Sequence, residues 1–177
     1  MRKWLNECLN SHPKRAALQF NFMPPRIIEI GKVGDIWQLN LRCDNEDHIT
    51  KYSALNYYLG VPQSIAFQME MDTVDIWKSA IPWNRLPRTI QDAVITKHSL
   101  AIRYLWVDSF CIIQDDPKDK AIKILQMPRI YGQATVSIVA ARSEAVSRGC
   151  WVLQSRREVQ NVIQIPFWSV RIGNQCY

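Results

Sequence analysis

Asp108, Ser109, Cys111, Gln114, Asp115 and Asp116 crowd one short stretch of the chain. A hydroxyl beside a carboxylate can hold or relay a proton. A thiol is a nucleophile once ionised. Each group also has a plainer use. An aspartate after a strand caps a turn, and a serine bonds nearby backbone. No histidine is tied by sequence to Cys111, so a buried structural thiol is the better reading of it. Asp108 and Ser109 lead because of what precedes them. Ile102 and Tyr104 to Val107 form a short apolar run, as a strand covered on both faces requires. Ligands of open α/β sheets gather at the carboxyl ends of such strands. Asn56, Arg103, Gln114 and Asp115 are candidates to line that crevice. Arg103 can hold an anion or pair with Asp92 or another acid. His98 reads as a surface or packing residue, and Trp106 and Tyr131 as core. No catalytic residue is assigned beyond the candidates Asp108 and Ser109.

The flanking pattern must position these groups. Residues 1–18 read as a short amphipathic helix with Leu5, Cys8, Leu9 and Trp4 on one face, limited by Pro13. Arg26–Ile30 and Ile36–Leu41 read as a hairpin. Tyr52–Tyr58 reads as a strand ending at Leu59-Gly60-Val61-Pro62. Residues 63–83 have little periodicity, with Val74, Ile76, Trp77 and Ile81 as short helix or irregular cover. Arg88–Ala101 is a helix whose stripe is Ile90, Ala93, Val94, the Lys97 stem, Leu100 and Ala101. Asp116 and Pro117 are an N-cap and N1 pair. That helix should run through Leu125 or Met127, with Pro128 ending or kinking it and Gly132 as a later stop signal. Thr135–Ala141 is another buried strand. Strand, helix, strand, helix, strand favours right-handed crossovers. The fold class is α/β, a small three-layer domain with a mainly parallel sheet plus an N-terminal helix and hairpin. The organisation reads as a lead-in at 1–48, the α/β domain at 49–150, and an extension at 151–177 that adds an edge hairpin or begins a truncated remainder. Pro166 argues against one continuous central strand there.

The totals exclude several classes. At 47% hydrophobic the chain is no disordered tail. It has no apolar run long enough for a membrane span. Five scattered cysteines without a CxxC fit a reduced, cytoplasmic setting. Cys8 and His12 are two ligands, too few for zinc. The carboxylates of 43–48 lack calcium-loop spacing. No metal is expected. The formal charge of +6 permits nucleic acid contact. No nucleic-acid motif accompanies it, and the basic region of Arg142, Arg148, Arg156 and Arg157 reads as solvated surface.

Longer motifs carry a resemblance. The central block is Leu86-Pro87-Arg88-Thr89, Gln91-Asp92-Ala93, then Ile102-Arg103-Tyr104-Leu105-Trp106-Val107-Asp108-Ser109-Phe110-Cys111-Ile112-Ile113-Gln114-Asp115-Asp116-Pro117. A second block joins Met127, Ile130-Tyr131 and Ala134 to Ser137-Ile138-Val139-Ala140-Ala141. Tyr52-Ser53-Ala54-Leu55-Asn56-Tyr57-Tyr58-Leu59-Gly60 is similar to a Y-A-L-S-Y-C-W-G block. Trp4-Leu5, Cys8, His12 and residues 23–31 resemble the usual lead-in. Together they resemble the fungal heterokaryon incompatibility (HET) domain family. The resemblance implies a fungal intracellular protein of non-self recognition and regulated cell death, with protein partners or self-association. It also implies a distant likeness to Toll/interleukin-1 receptor domains, some of which cleave NAD with a helix glutamate. No cofactor is expected, with NAD as the one candidate substrate or ligand. The family continuation resembles D-W-x-x-E. Here Lys120 replaces the aromatic residue and Lys123 the acid. An ammonium cannot accept a hydrogen bond and opposes positive charge. This departure argues against an enzyme, and leaves an inactive interaction or regulatory remnant as a further alternative.

Overall fold

The structure is a computed structural model that describes residues 2–11, 22–43, 51–58, 67–140 and 149. The readings for His12, Pro13, 44–48, 59–62, Arg142, Arg148, Arg156, Arg157 and 151–177 lie outside the described residues.

A five-stranded sheet organises the chain, in the order β2-β1-β4-β3-β5. The first two strands, β1 (Arg26–Val33) and β2 (Ile36–Cys43), form the expected hairpin. It turns at Gly34 and Asp35, with Gly34 at φ 58°. Glycine takes that left-handed conformation without a Cβ clash, and a glycine-first two-residue loop suits the twist of a hairpin. Ile28 and Ile30 face Leu41 and Leu39 across the pair, and all four are buried. The hairpin belongs to the main sheet, because β1 also pairs antiparallel with β4 (Tyr104–Val107). Parallel pairing joins β4 to β3 (Tyr52–Tyr57) and β3 to β5 (Val136–Ala140). The sheet is therefore mixed, parallel where the crossovers lie and antiparallel at the hairpin.

Among the described residues four α-helical segments lie between the strands, after the N-terminal α1 (Arg2–Ser11). These are α2 (Val74–Ser79), α3 (Arg88–Ser99), α4 (Asp108–Cys111) and α5 (Pro117–Gln133). The connection through α3 leads from β3 to β4. The connection through α5 passes back across β3 to β5. Right-handed crossovers running in opposite directions put α3 and α5 on opposite faces, which makes three layers. Tyr52 and Trp106 mark the α5 face. The Tyr52 hydroxyl donates to the Ile130 carbonyl, and the Trp106 and Tyr131 rings meet edge to face at 5.5 Å. Trp77 and Ile81 do cover the sheet, whereas Ile76 is exposed.

Four expectations need correction. Trp4 is exposed, and Leu5 is the buried residue of α1. Pro128 does not end α5, which continues to Gln133, beside the Gly132 stop signal. A proline in a helix interior costs about 3 kcal/mol. The last turn is held regardless by buried Ile130 and by the Tyr131 hydroxyl, which donates to the Leu55 carbonyl at 3.0 Å. The strand β5 lies last in the sheet order, with Ser137 and Val139 exposed, rather than in a buried interior. Finally, Lys97 buries its ammonium as well as its stem, and Ala101 leaves the stripe.

Ala101 has φ 58° and follows the end of α3. Its N–H donates to His98 O at 3.0 Å, and Ile102 N–H donates to Lys97 O at 3.2 Å. That hydrogen-bond pair usually closes on glycine. Ala101→Gly is expected to stabilise the fold by about 0.5–1 kcal/mol, since relief of the left-handed cost exceeds the entropy glycine adds to the unfolded chain. Thermal melts check it. An unchanged or lower midpoint would contradict the reading.

Candidate functional site

The connections of β3 and β4 leave to opposite faces of the sheet. In open α/β sheets ligands bind outside the carboxyl ends of two such neighbouring strands. The last residue of β3 is Tyr57, and Asp108 and Ser109 follow β4 directly. They meet there. The Tyr57 and Ser109 hydroxyls are 2.6 Å apart, and either can donate. The Ser109 N–H donates to Asp108 Oδ1 at 2.7 Å. The Asp108 charge also acts on Tyr57.

Burial sets the protonation of this group. It raises the Asp108 carboxyl above the usual range, against the opposing pull of the Ser109 N–H and the Tyr57 hydroxyl. Burial, then the Asp108 charge, raises the Tyr57 phenol, which stays protonated. The arrangement is a proton-holding network of one phenol, one hydroxyl and one reluctant carboxylate. It can present donors and acceptors to a polar ligand. Cys111 does not join it as a nucleophile. Its thiol is buried, and burial pushes it up to about 12.

A second set of bonds fixes the loop that carries these groups. Gln114 Nε2 donates to Ile112 O at 3.0 Å and to Asp108 O at 3.3 Å. Met69 N–H donates to Ser109 O, and Gln114 N–H donates to Met69 O, both at 2.8 Å. Asp115 accepts from Met71 N–H at 3.0 Å. From β1, Arg26 donates through Nε to Cys111 O at 2.8 Å and through Nη2 to Asp119. Asp119 in turn accepts from Ile113 N–H at 2.9 Å. Asp116 caps α5 through Lys118 N–H with Pro117 at N1, as read. Burial and the Arg26 charge lower the pKa of Lys123, against the pull of Asp119. Its place beside Arg26 and Asp119 keeps a cation near the base of this loop.

The candidates thus divide. Asp108, Ser109 and Gln114 come together, and Asp115 braces the adjoining segment. Asn56 is exposed, and strand alternation sends its side chain to the face opposite Tyr57. Arg103 precedes β4 at its amino end, where it pairs with Glu29 and lies over the Tyr104 ring. Asp92 pairs with Arg88 at 3.3 Å instead. His98 packs edge-on against Trp37. Sequence reasoning missed Tyr57, Arg26 and Asp119 as parts of the site. The signal for Tyr57 was its place at the end of a strand parallel to β4. Among the described residues no group of His, Cys, Asp or Glu is arranged to hold a metal, and no helix is long and apolar enough to cross a membrane.

The chain matches the family model described as Heterokaryon incompatibility protein (HET) over residues 52–169. No curated protein and no solved structure matches it. The matched span covers more than half of the 177 residues and contains Tyr57, Asp108 and Ser109. The chain therefore belongs to the heterokaryon incompatibility (HET) family.

Proposed function

We propose that this chain acts in fungal non-self recognition and regulated cell death, as a cytoplasmic signalling domain that works by associating with protein partners or with itself. Family membership over the α/β core carries the proposal. The Tyr57–Ser109–Asp108 crevice is its working part. A buried carboxyl held beside a protonated phenol supports recognition of a polar group. Nucleotide cleavage is not the favoured reading. Position 123 carries an ammonium, and Ser109 is bonded to a phenol rather than to a general base.

The test is inducible expression of the whole chain in a filamentous fungus, with soluble protein measured alongside growth. Arrest or death is the expected result. Normal growth with abundant folded protein would contradict an active signalling role and favour a regulatory remnant.

A further inference from the structure

A second cleft lies outside the crevice, under residues 67–85. Its volume is about 240 Å³, and Phe67, Glu70, Ile76, Trp77, Pro82 and Arg85 line it. A cavity of about 150 Å³ already admits benzene, so this one admits a ring with a small polar head. Its wall is aromatic. Phe67 and Trp77 have ring centroids 5.2 Å apart, and both pack on Phe110. Two opposite charges flank that surface. The Arg85 guanidinium lies 4.8 Å over the Phe67 ring. The Glu70 carboxylate accepts from Gln68 Nε2 at 3.3 Å. Neither charge has an ion-pair partner among the described residues.

A cleft with an aromatic wall, a polar rim that includes Gln68 and Thr73, and one anion and one cation outside any ion pair complements a zwitterion with an apolar body. We infer that this cleft binds a free α-amino acid with an aromatic side chain: the ammonium meets Glu70, the carboxylate meets Arg85, and the ring lies against Trp77 and Ile76. The cleft is also joined to the crevice. Met69, between the lining residues Gln68 and Glu70, exchanges hydrogen bonds with Ser109 O and Gln114 N–H. Phe67 packs on Phe110, the neighbour of Ser109. An occupant that shifts Phe67 or Glu70 therefore moves the segment that holds Ser109.

The test titrates the whole chain with three probes, followed by calorimetry and by amide NMR. L-phenylalanine carries both charges, N-acetyl-L-phenylalanine lacks the ammonium, and L-phenylalaninamide lacks the carboxylate. L-phenylalanine should bind at least about tenfold more tightly than either analogue, the loss expected for one charge-assisted contact. Glu70→Gln should erase the discrimination against the N-acetyl probe, and Arg85→Gln that against the amide. Arg85 is exposed and Glu70 half-buried, and neither belongs to the core. Amides of Met69, Ser109 and Gln114 should shift along the same isotherm. Absence of binding, equal binding of all three probes, or unchanged discrimination in both variants would overturn the site. Binding without movement of the Ser109 amide would overturn its link to the crevice.

Discussion

Replacing Lys97 by methionine should stabilise the protein by about 3–5 kcal/mol at pH 7. Lys97 is fully buried on α3, with its Nζ 2.7 Å from the Arg103 carbonyl. Burial, then the nearby Arg103 charge, lowers the ammonium from 10.5 to about 7, and Glu29 only partly opposes them. Between about pH 7 and 10.5 the unfolded chain binds the proton that the folded chain refuses. Stability from this group therefore rises with pH across that window. Below about pH 7 both states are protonated and the full cost remains. Methionine keeps the length of the stem and removes the charge. The Arg103 carbonyl still receives the Ile30 N–H at 3.0 Å, so no buried acceptor is orphaned. Urea unfolding of both proteins at pH 7 and pH 10 checks this. Their difference should shrink towards the higher pH, and taking the difference cancels tyrosines and cysteines that titrate in both. A less stable variant, or a difference constant with pH, would contradict the account.

The second large effect is expected at the clamp between the hairpin and the crevice loop. The Arg26 and Asp119 side chains are each only 14% exposed. Removing one partner of a buried pair leaves the other charge without its counter-ion. Arg26→Ala should cost about 2–4 kcal/mol. It also frees the Cys111 carbonyl. A double-mutant cycle with Asp119→Ala should give a coupling of about 1–3 kcal/mol. The pH dependence has the opposite sign to that of Lys97. Burial alone would raise the Asp119 carboxyl, but the Arg26 and Ile113 hydrogen bonds and the Arg26 and Lys123 charges outweigh it, and the net shift is downward. The pair therefore stabilises the fold above the ordinary carboxylate range, and this is lost as pH falls through the lowered folded value. In Arg26→Ala that acid-side loss should move to higher pH. Chemical denaturation from neutral to acid pH measures both. Additive single substitutions would show that the clamp holds nothing.

The clamp also shows where the sequence was readable and where it was not. Local signals were reliable for single elements. The apolar run at 104–107, the Asp116–Pro117 cap and the hairpin all lie where their residue types put them. Asp108 and Ser109 followed from one local fact, polar groups directly after a buried strand. Arg26 and Asp119 could not follow from such facts. They are 93 residues apart, and only the placement of β1 beside β4 brings them together. Arg103 was misplaced for the same reason. It is near Asp108 in sequence, yet the length of β4 separates them, with Glu29 waiting at the amino end. Lys97 and Pro128 defeat residue-level rules because tertiary packing overrides them. One is a charge drawn into the core, the other a proline tolerated in a helix pinned at its end. Tyr57 was visible as a strand residue, but its partner across the parallel pair was not.

The crevice itself is the centre of the account. Its most direct test compares growth of a fungal host expressing the whole chain with growth of hosts expressing Tyr57→Phe or Asp108→Ala plus Ser109→Ala, at matched soluble protein. The account predicts arrest with the unaltered chain, weakened arrest with Tyr57→Phe, and full growth with the double substitution. Arrest of equal strength from all three folded proteins would contradict it.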